Sequence, residues 1–321
     1  MRTARIVIVA ALSASTFACT ANTASVSQVG LSSDAGLATG ARIYAVNESD
    51  SVVTAYKVLA NGDVAPSAHI GGGNTGLSSP FNDAFDASSQ LYVLQQTNYV
   101  VFAAGAHGNA TPKWNVGGAF TQISNPQGIA VDPTGIVYIT DATGGPSYIT
   151  VYAAGSNGNR APQQTIYDGQ DFFFIPSGIA VFNGTLYVAD QGDVSINEYL
   201  ASSNGIVNPA AVIEGSSTGL NTPRGVAVDS RGRIYVTDND RVLVFAASAN
   251  GNVAPIRTIA GSNTQLNGAV GLTIHSTGIF VANSGGAITV YPLSGNGNIA
   301  PVRVISGSLT QLDNPQDVAI P

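Results

Sequence analysis

The sequence predicts an all-β fold, a six-bladed β-propeller of four-stranded antiparallel blades that is closed by pairing of the C-terminal strand with the N-terminal blade. Three observations predict it. A unit of short apolar strands recurs six times, an Asn-Gly turn recurs with it, and the end of the chain repeats a strand that the beginning lacks. Repeats of this length with several strands per unit are typical of propeller blades.

The clearest copy of the repeat covers residues 223–261. It contains three strand-like runs, at 223–229, 234–238 and 242–245, and a shorter run at 257–259. Alternation with a period of two residues and a high content of β-branched and aromatic side chains indicate strands. The unit therefore predicts four strands per blade.

Two independent sequence features each recur six times, which predicts six blades. An aromatic residue in the second strand recurs at intervals of 45 to 49 residues, at Tyr44, Tyr92, Tyr138, Tyr187, Tyr235 and Phe280. The Asn-Gly turn before the outer strand begins at Asn61, Asn157, Asn204, Asn250 and Asn296, with His107 in the remaining copy. Asn and Gly suit the positive φ angles of tight turns.

The two ends of the chain share one blade. The first unit starts with its second strand, at residues 43–47, and residues 315–320 match the inner strand at 126–131. We expect the segment 315–320 to pair beside 43–47, which closes the ring and removes free sheet edges.

Residues 1–24 are interpreted as a signal peptide, followed by a leader at 25–40 and the propeller at 41–321. A positive start, a short apolar run and small residues are typical of export signals. Cys19 stands where such a signal is cut, so its lipidation is one hypothesis and plain secretion the alternative. We expect the protein to be extracellular, periplasmic or lipid-anchored at the cell envelope.

Composition excludes one class of partner. The chain has 12 basic and 19 acidic residues and a formal net charge of −7. Nucleic-acid binding depends on clustered basic side chains, and these are scattered. We expect no nucleic-acid partner, no membrane contact beyond an N-terminal lipid, and a monomer.

The strand motifs resemble a known family. The succession Pro-x-Gly-Ile/Val-Ala-Val-Asp, Gly-x-Ile-Tyr-Val-x-Asp and Val-x-Val-Phe resembles the NHL repeats of six-bladed propellers, over residues 41–321. The units from Pro126 and Pro223 match best, and those from Pro80 and Gly268 match least. The resemblance implies the fold, whereas propellers of this kind serve as scaffolds, as protein or carbohydrate binders and, in a minority, as enzymes.

Two blades depart from glycine near the start of the inner strand. Four units have glycine there, and the other two have Asn82 and Asp317. Because the closing strand belongs to the first blade, we expect Asn82 and Asp317 to be neighbours, with Asp83 adjacent. These three residues are a candidate site for a divalent cation, since Ca²⁺ favours oxygen ligands. The alternative is ordinary degeneration of the terminal repeats.

An enzymatic interpretation follows from a second resemblance. Gluconolactonase-like propellers, which include metal-dependent hydrolases, hold a divalent metal with a set that contains a glutamate near the start of the domain. Here Glu48 follows a second strand, so the resemblance fails at that residue. The three histidines do not converge in the repeat frame, and no catalytic residue is assigned.

In each of the six units, a polar residue stands at the end of the second strand. These residues are Asn47, Gln95, Asp141, Asp190, Asp238 and Asn283. They form either a polar ring at one mouth of the channel or caps that accept hydrogen bonds from loop backbone, and the second interpretation is favoured because such side chains commonly cap turns.

One aromatic run has no counterpart in the other units. Asp171, Phe172, Phe173 and Phe174 precede the inner strand that begins at Pro176. An exposed apolar cluster in a loop indicates a ligand or partner contact, and a plug over the channel is the alternative.

The sequence leaves three functions open. The favoured one is a non-catalytic exported propeller that binds a protein or glycan of the cell envelope or exterior at one face. A metal-dependent hydrolase, lactonase or lyase is the second, and a structural envelope protein is the third. No cofactor is expected beyond the hypothetical cation.

Overall fold

The computed structural model describes residues 40–142, 147–169 and 175–321. Its strands form six sheets, and each sheet is one blade of a propeller. Within a blade, the inner, second, third and outer strands run antiparallel to one another. The described residues contain one short 3-10 helix, Ser262–Thr264, and otherwise only strands, turns and loops. The predicted all-β fold with six blades is confirmed.

Each blade extends from an inner strand at the axis to an outer strand at the rim. From inner to outer strand, blade 1 consists of β25 (Pro315–Ala319), β1 (Arg42–Asn47), β2 (Val52–Lys57) and β3 (Ala68–Ile70). Blade 2 consists of β4 (Asn82–Phe85), β5 (Leu91–Leu94), β6 (Asn98–Phe102) and β7 (Trp114–Gly117). Blade 3 consists of β8 (Pro126–Val131), β9 (Val137–Asp141), β10 (Tyr148–Tyr152) and β11 (Gln164–Asp168). Blade 4 consists of β12 (Pro176–Phe182), β13 (Thr185–Asp190), β14 (Ser195–Leu200) and β16 (Ala211–Ile213); blade 5 of β17 (Pro223–Val228), β18 (Ile234–Asp238), β19 (Arg241–Phe245) and β20 (Arg257–Ala260); blade 6 of β21 (Ala269–His275), β22 (Gly278–Asn283), β23 (Ala287–Tyr291) and β24 (Arg303–Ser306).

The C-terminal strand closes the ring as predicted. In the register of β25 on β1, Ala319 lies opposite Tyr44 and Val318 opposite Ala45. Strand β1 thus lies between β25 and β2, and blade 1 is built from both ends of the chain. This pairing removes the free edge that β1 would otherwise expose.

Apolar side chains fill the interfaces between blades. At the interface of blades 5 and 6, Tyr235, Ile279 and Tyr291 are fully buried in one cluster. Corresponding clusters lie at the other five interfaces. Because aromatic and β-branched side chains bury large areas, this packing between rigid sheets is the main stabilising term of the fold.

The recurring Asn-Gly turns fasten each blade to the one before it, and we call each such turn a clasp. In blade 5, Asn250 Oδ1 accepts a hydrogen bond from Val212 N at 3.1 Å, and Gly251 N donates to Val212 O at 2.6 Å. The clasp of blade 1 reaches Val304 in the same way, so it also spans the ring closure. Each outer strand therefore has a neighbour on its outer side.

One clasp is long enough to form a strand of its own. Strand β15 (Gly205–Val207) follows the Asn-Gly turn of blade 4 and pairs in parallel with β11 of blade 3. Blade 3 consequently has five strands in a mixed sheet, whereas four were predicted. At three other interfaces the same pairing is reduced to single bridges.

Loops and turns at one end of the ring form what we call the top face. It consists of the loops that lead into the inner strands and of the turns between second and third strands, including residues 78–81, 124–125, 221–222 and 313–314. The inner strands start at this face, which places their first residues at one mouth of the axial channel.

Candidate functional site

The inner strands of all six blades line an axial channel of about 240 Å³. Its wall includes Gly178, Gly225 and Gly271 near the top face, together with Asn82, Asp83 and Asp317. At the channel the repeat departs from sixfold regularity, because two blades contribute polar side chains where the others contribute glycine.

The glycines are required by the close approach of neighbouring inner strands. A Cβ added to Gly128 would lie 2.6 Å from Ser177 O, and one added to Gly225 would lie 2.5 Å from Val270 O. Both contacts are too short for real Cβ atoms, and both are with backbone, which cannot easily move. Crowding near the axis therefore explains the glycines at these positions.

Asn82 and Asp317 are direct neighbours, as predicted. Asn82 Nδ2 donates to Asp317 Oδ2 at 2.6 Å, and Asn82 Oδ1 accepts from Ile129 N at 2.8 Å. Asn82 therefore bridges the closing strand and the inner strand of blade 3.

Asp317 is held by three donors. Its Oδ2 accepts from Asn82 and, at 3.4 Å, from Asp83 N, while its Oδ1 accepts from Val318 N at 2.8 Å. Burial raises the pKa of Asp317, and the two backbone donors lower it only in part. The carboxyl group is thus fixed in orientation, and its charge is poorly solvated.

Asp83 has a different environment from Asp317. Its side chain is 5% exposed, and neither carboxyl oxygen has a hydrogen-bond partner. Asp83 lies opposite Val93, and Asp317 opposite Val46. Val46 and Val93 belong to one apolar cluster between blades 1 and 2. Because opposed residues share a face of a sheet, the two carboxyl groups meet at this interface. Burial, and next the charge of Asp317, raise the pKa of Asp83.

The polar residues that end the second strands are caps. Asp238 accepts hydrogen bonds from Asn221 N and Thr222 N, each at 2.7 Å. Asn283 accepts from Asn267 N at 3.0 Å, and Asn47 from Asp313 N at 3.1 Å. Equivalent bonds join Gln95 to Ser78, Asp141 to Ser124 and Asp190 to Ile175. The favoured interpretation is confirmed, and these side chains fix the top-face loops instead of forming a site.

Other candidates from the sequence have structural roles or fall outside the described residues. Glu48 Oε2 accepts from Asn314 Nδ2 at 2.8 Å, so it binds the closing loop. His107 Nδ1 contacts Gly105 O of its own turn at 3.1 Å. Cys19 and the run Asp171, Phe172, Phe173 and Phe174 lie outside the described residues, and the hypotheses about them stay predictions.

Sequence reasoning missed a second recurring turn. In the motif Gly-x-x-Thr, the Thr hydroxyl donates to the glycine carbonyl, as Thr218 does to Gly215 and Thr264 to Gly261, both at 2.7 Å. The same bond occurs at Thr75, Thr121 and Thr310. The repeated Gly and Thr, three residues apart after five of the six outer strands, were the available signal.

The described residues lack a cluster of conventional metal ligands. They contain no group of three or more His, Cys, Asp or Glu side chains arranged to hold a metal ion. Nor do they include a helix with the length and apolar character needed to cross a membrane. A metal at the channel mouth would therefore rest on two carboxylates and neighbouring oxygen atoms.

Comparison with known families identifies one blade. Residues 220–245 match the sequence model of the NHL repeat. This stretch contains β17, β18 and β19 of blade 5, the unit whose motifs resemble that family most closely. No curated protein matches the sequence.

Several solved structures share the architecture. A protein of unknown function from Bacteroides caccae aligns with a TM-score of 0.61 and 11% identity over 87% of this chain and 98% of its own. A functionally unknown protein from Desulfotomaculum acetoxidans DSM 771 aligns at 0.56 and 12% over 86% and 83%. A chain from a nidogen/laminin complex aligns at 0.57 and 12% over 88% and 98%. At these identities the likeness concerns the fold alone.

Proposed function

We propose that this six-bladed propeller with an NHL repeat in blade 5 is a non-catalytic binding protein that holds a protein partner on its top face. The observation that carries the proposal is the set of buried caps at the ends of the second strands. Each cap fixes the backbone of a loop whose outward side chains remain exposed, as Asp238 does for Asn221. Loops held in one conformation lose little entropy on binding, which favours affinity.

The exposed side chains of this face suit a protein partner with basic groups. The exposed residues include Asp50, Asp193, Asp240 and Asp313, whereas Arg224 is the exposed basic residue of this face in the described part of the chain. The chain carries a net charge of −7. A local excess of carboxylates attracts Lys and Arg side chains and speeds association.

The architecture is compatible with a protein partner. One chain of similar fold was solved in a complex of nidogen with laminin. That likeness supports the use of such a ring as a protein-binding scaffold.

We include the aromatic run at residues 171–174 in the proposed binding surface because of its sequence. Gly169 and Ile175 flank it, and Ile175 is 45% exposed with its N–H held by Asp190 on the top face. Phe172, Phe173 and Phe174 would add apolar contact area to a polar surface, and aromatic anchors commonly dominate protein interfaces.

The proposed location is outside the cytoplasm. It is supported by the signal-like residues 1–24, with Cys19 as the proposed lipid attachment point. A partner would then belong to the envelope or the exterior. Metabolic labelling of the expressed chain with palmitate tests the anchor, and Cys19→Ser is expected to abolish the label.

The binding proposal is tested with the full chain and envelope or secreted fractions of the source organism. Bound material is identified by mass spectrometry, and the affinity for the purified partner is then measured. The triple variant Asp50→Asn/Asp240→Asn/Asp313→Asn is expected to weaken binding at least tenfold, with a smaller effect at high salt. Phe172→Ser/Phe173→Ser/Phe174→Ser is expected to weaken it further.

The control replaces exposed apolar residues on the outer rim. Ile256 and Val302 are 50% and 54% exposed and lie just before outer strands. Ile256→Ser/Val302→Ser should leave binding unchanged. Loss of binding in this rim variant but not in the top-face variant would place the partner on the rim and refute the proposal. Binding that survives protease treatment of the fraction but not periodate oxidation would identify a glycan instead.

A further inference from the structure

The mouth of the axial channel contains a buried carboxyl group that the fold leaves unsatisfied. Both oxygens of Asp83 lack a hydrogen-bond partner, although the residue is only 5% exposed. A buried carboxylate without partners costs several kcal/mol, so folds that retain one usually provide a counter-charge or a proton. Among the described residues, no other carboxyl group has both of its oxygens buried without a hydrogen-bond partner.

A second carboxyl group faces the same space. Asp317 stands on the blade 1 side of the interface and Asp83 on the blade 2 side, and the backbone nitrogen of Asp83 lies 3.4 Å from Asp317 Oδ2. Neither residue forms an ion pair among the described residues. Two buried carboxylates this close repel each other unless a cation or a shared proton lies between them.

The surroundings provide oxygen atoms and space but no nitrogen or sulfur ligand. The site contains the two carboxyl groups and Asn82 Oδ1, and it borders the channel of about 240 Å³. The channel has room for several water molecules, each of which occupies about 30 Å³ in the liquid. Hard divalent cations accept such a mixture of carboxylate, amide and water oxygens, and Ca²⁺ tolerates irregular geometry better than Mg²⁺.

The position is special to this interface. Where the other blades have Gly128 or Gly225, an added Cβ would collide with the backbone of the next inner strand. At the ring closure, Asn82 and Asp317 occupy this position as side chains that bond to each other. The hydrogen bond from Asn82 keeps the carboxyl group of Asp317 oriented toward Asp83.

We propose that Asp83 and Asp317 bind one Ca²⁺ ion across the interface of blades 1 and 2, with Asn82 as the residue that positions Asp317. Such an ion would join blade 1, which contains the first and last strands of the propeller, to blade 2. It would neutralise two buried charges and stabilise the closed ring. With few protein ligands, the affinity should resemble that of extracellular modules, with a Kd of about 0.1 to 1 mM.

The test uses the full chain, freed of metal with a chelator and titrated with CaCl₂ in a calorimeter. We expect one saturable site per chain and a rise in melting temperature with Ca²⁺ concentration. MgCl₂ should bind at least tenfold more weakly. Asp83→Asn and Asp317→Asn should each weaken Ca²⁺ binding at least tenfold, and Glu214→Gln, which alters an exposed carboxylate outside the channel, should not.

A second variant protects the test against misfolding. Asn82→Gly/Asp317→Gly gives all six blades the glycine that four already have, so it should keep the propeller, as judged by circular dichroism. It should bind no Ca²⁺ and melt at a temperature independent of the ion. Absence of a saturable heat and of a melting shift in the natural chain would overturn the proposal and assign a shared proton to the pair. Unchanged binding in Asp83→Asn would overturn it as well.

Discussion

Asn252 occupies the space that a side chain on Gly215 would need. Its Oδ1 accepts a hydrogen bond from Ser217 N at 2.6 Å, and a Cβ on Gly215 would lie 2.8 Å from the same atom. Gly215 has a φ of +106°, which disfavours any other residue. The same arrangement joins Gly72 to Asn109, Gly118 to Asn159, Gly261 to Asn298 and Gly307 to Asp63. Each pair links the Gly-x-x-Thr turn after one blade to the clasp of the next.

Replacing this glycine should loosen the interface between blades 4 and 5. Gly215→Ala combines an unfavourable φ with a clash against Asn252, and we expect a loss of about 2 to 4 kcal/mol of unfolding free energy. Chemical denaturation of the full chain measures it. The control is Gly73→Ala, where nothing lies within 4 Å of the added Cβ. Similar losses in both variants would contradict the steric explanation.

The cap at Asp238 offers a graded test. Asp238→Ala removes the acceptor of two loop N–H groups and the partner of Arg241, whose Nη2 lies 3.1 Å away. We expect a loss of about 1 to 3 kcal/mol and faster hydrogen exchange at Asn221 and Thr222. Asp238→Asn keeps one acceptor, as Asn283 does in blade 6, and should lose less than half as much. Unchanged exchange in the alanine variant would show that the loop is held by other contacts.

The number of blades and the closing strand were predictable from the sequence because both depend on local patterns. Alternation identifies strands, and the match of 315–320 to 126–131 identifies an inner strand without successors. The clasps were only half predictable. The recurrence of Asn250-Gly251 indicated a turn, but its partner Val212 lies 38 residues earlier in another blade, which no local pattern reveals.

The candidate site was predicted in outline and not in its key feature. Repeat alignment placed Asn82 beside Asp317, since both stand at the glycine position. It did not show that Asp83 is buried without partners, because this depends on which face of β4 packs against blade 1. The sequence also could not distinguish Asp238 from Asp83. The carboxylate of Asp238 accepts hydrogen bonds from loop N–H groups, whereas the oxygens of Asp83 accept none.

Glu198 should make stability depend on pH. It is a buried residue of β14, its Oε1 has no hydrogen-bond partner, and burial raises the pKa of its carboxyl group. The folded state therefore keeps this proton to a higher pH than the unfolded state, and the stabilising contribution declines as pH rises from about 4.5 through the raised pKa. Glu198→Gln should melt higher than the natural chain at pH 8, with a smaller difference at pH 4.5.

The exposed Glu214 provides the control for that experiment. Glu214→Gln removes the same charge from a solvated position, so its effect on melting temperature should be small at both pH values. Melting curves of the three proteins between pH 4.5 and 8 make the comparison. If the glutamine variant at position 198 follows the pH dependence of the natural chain, the ionisation of Glu198 does not limit stability.

Removing the closing strand should open the ring. Deletion of residues 315–321 exposes the edge of β1 and removes Val318 from the apolar cluster that it shares with Phe280 of blade 6. We expect loss of the cooperative melting transition and self-association through the free edge, measured by calorimetry and light scattering. Deleting Pro321 alone, an exposed residue, should change neither. A synthetic peptide of residues 315–321 added in excess should restore the transition, because it offers the same strand to β1 in trans. A truncated chain that melts like the natural one would show that the blades are stable without ring closure.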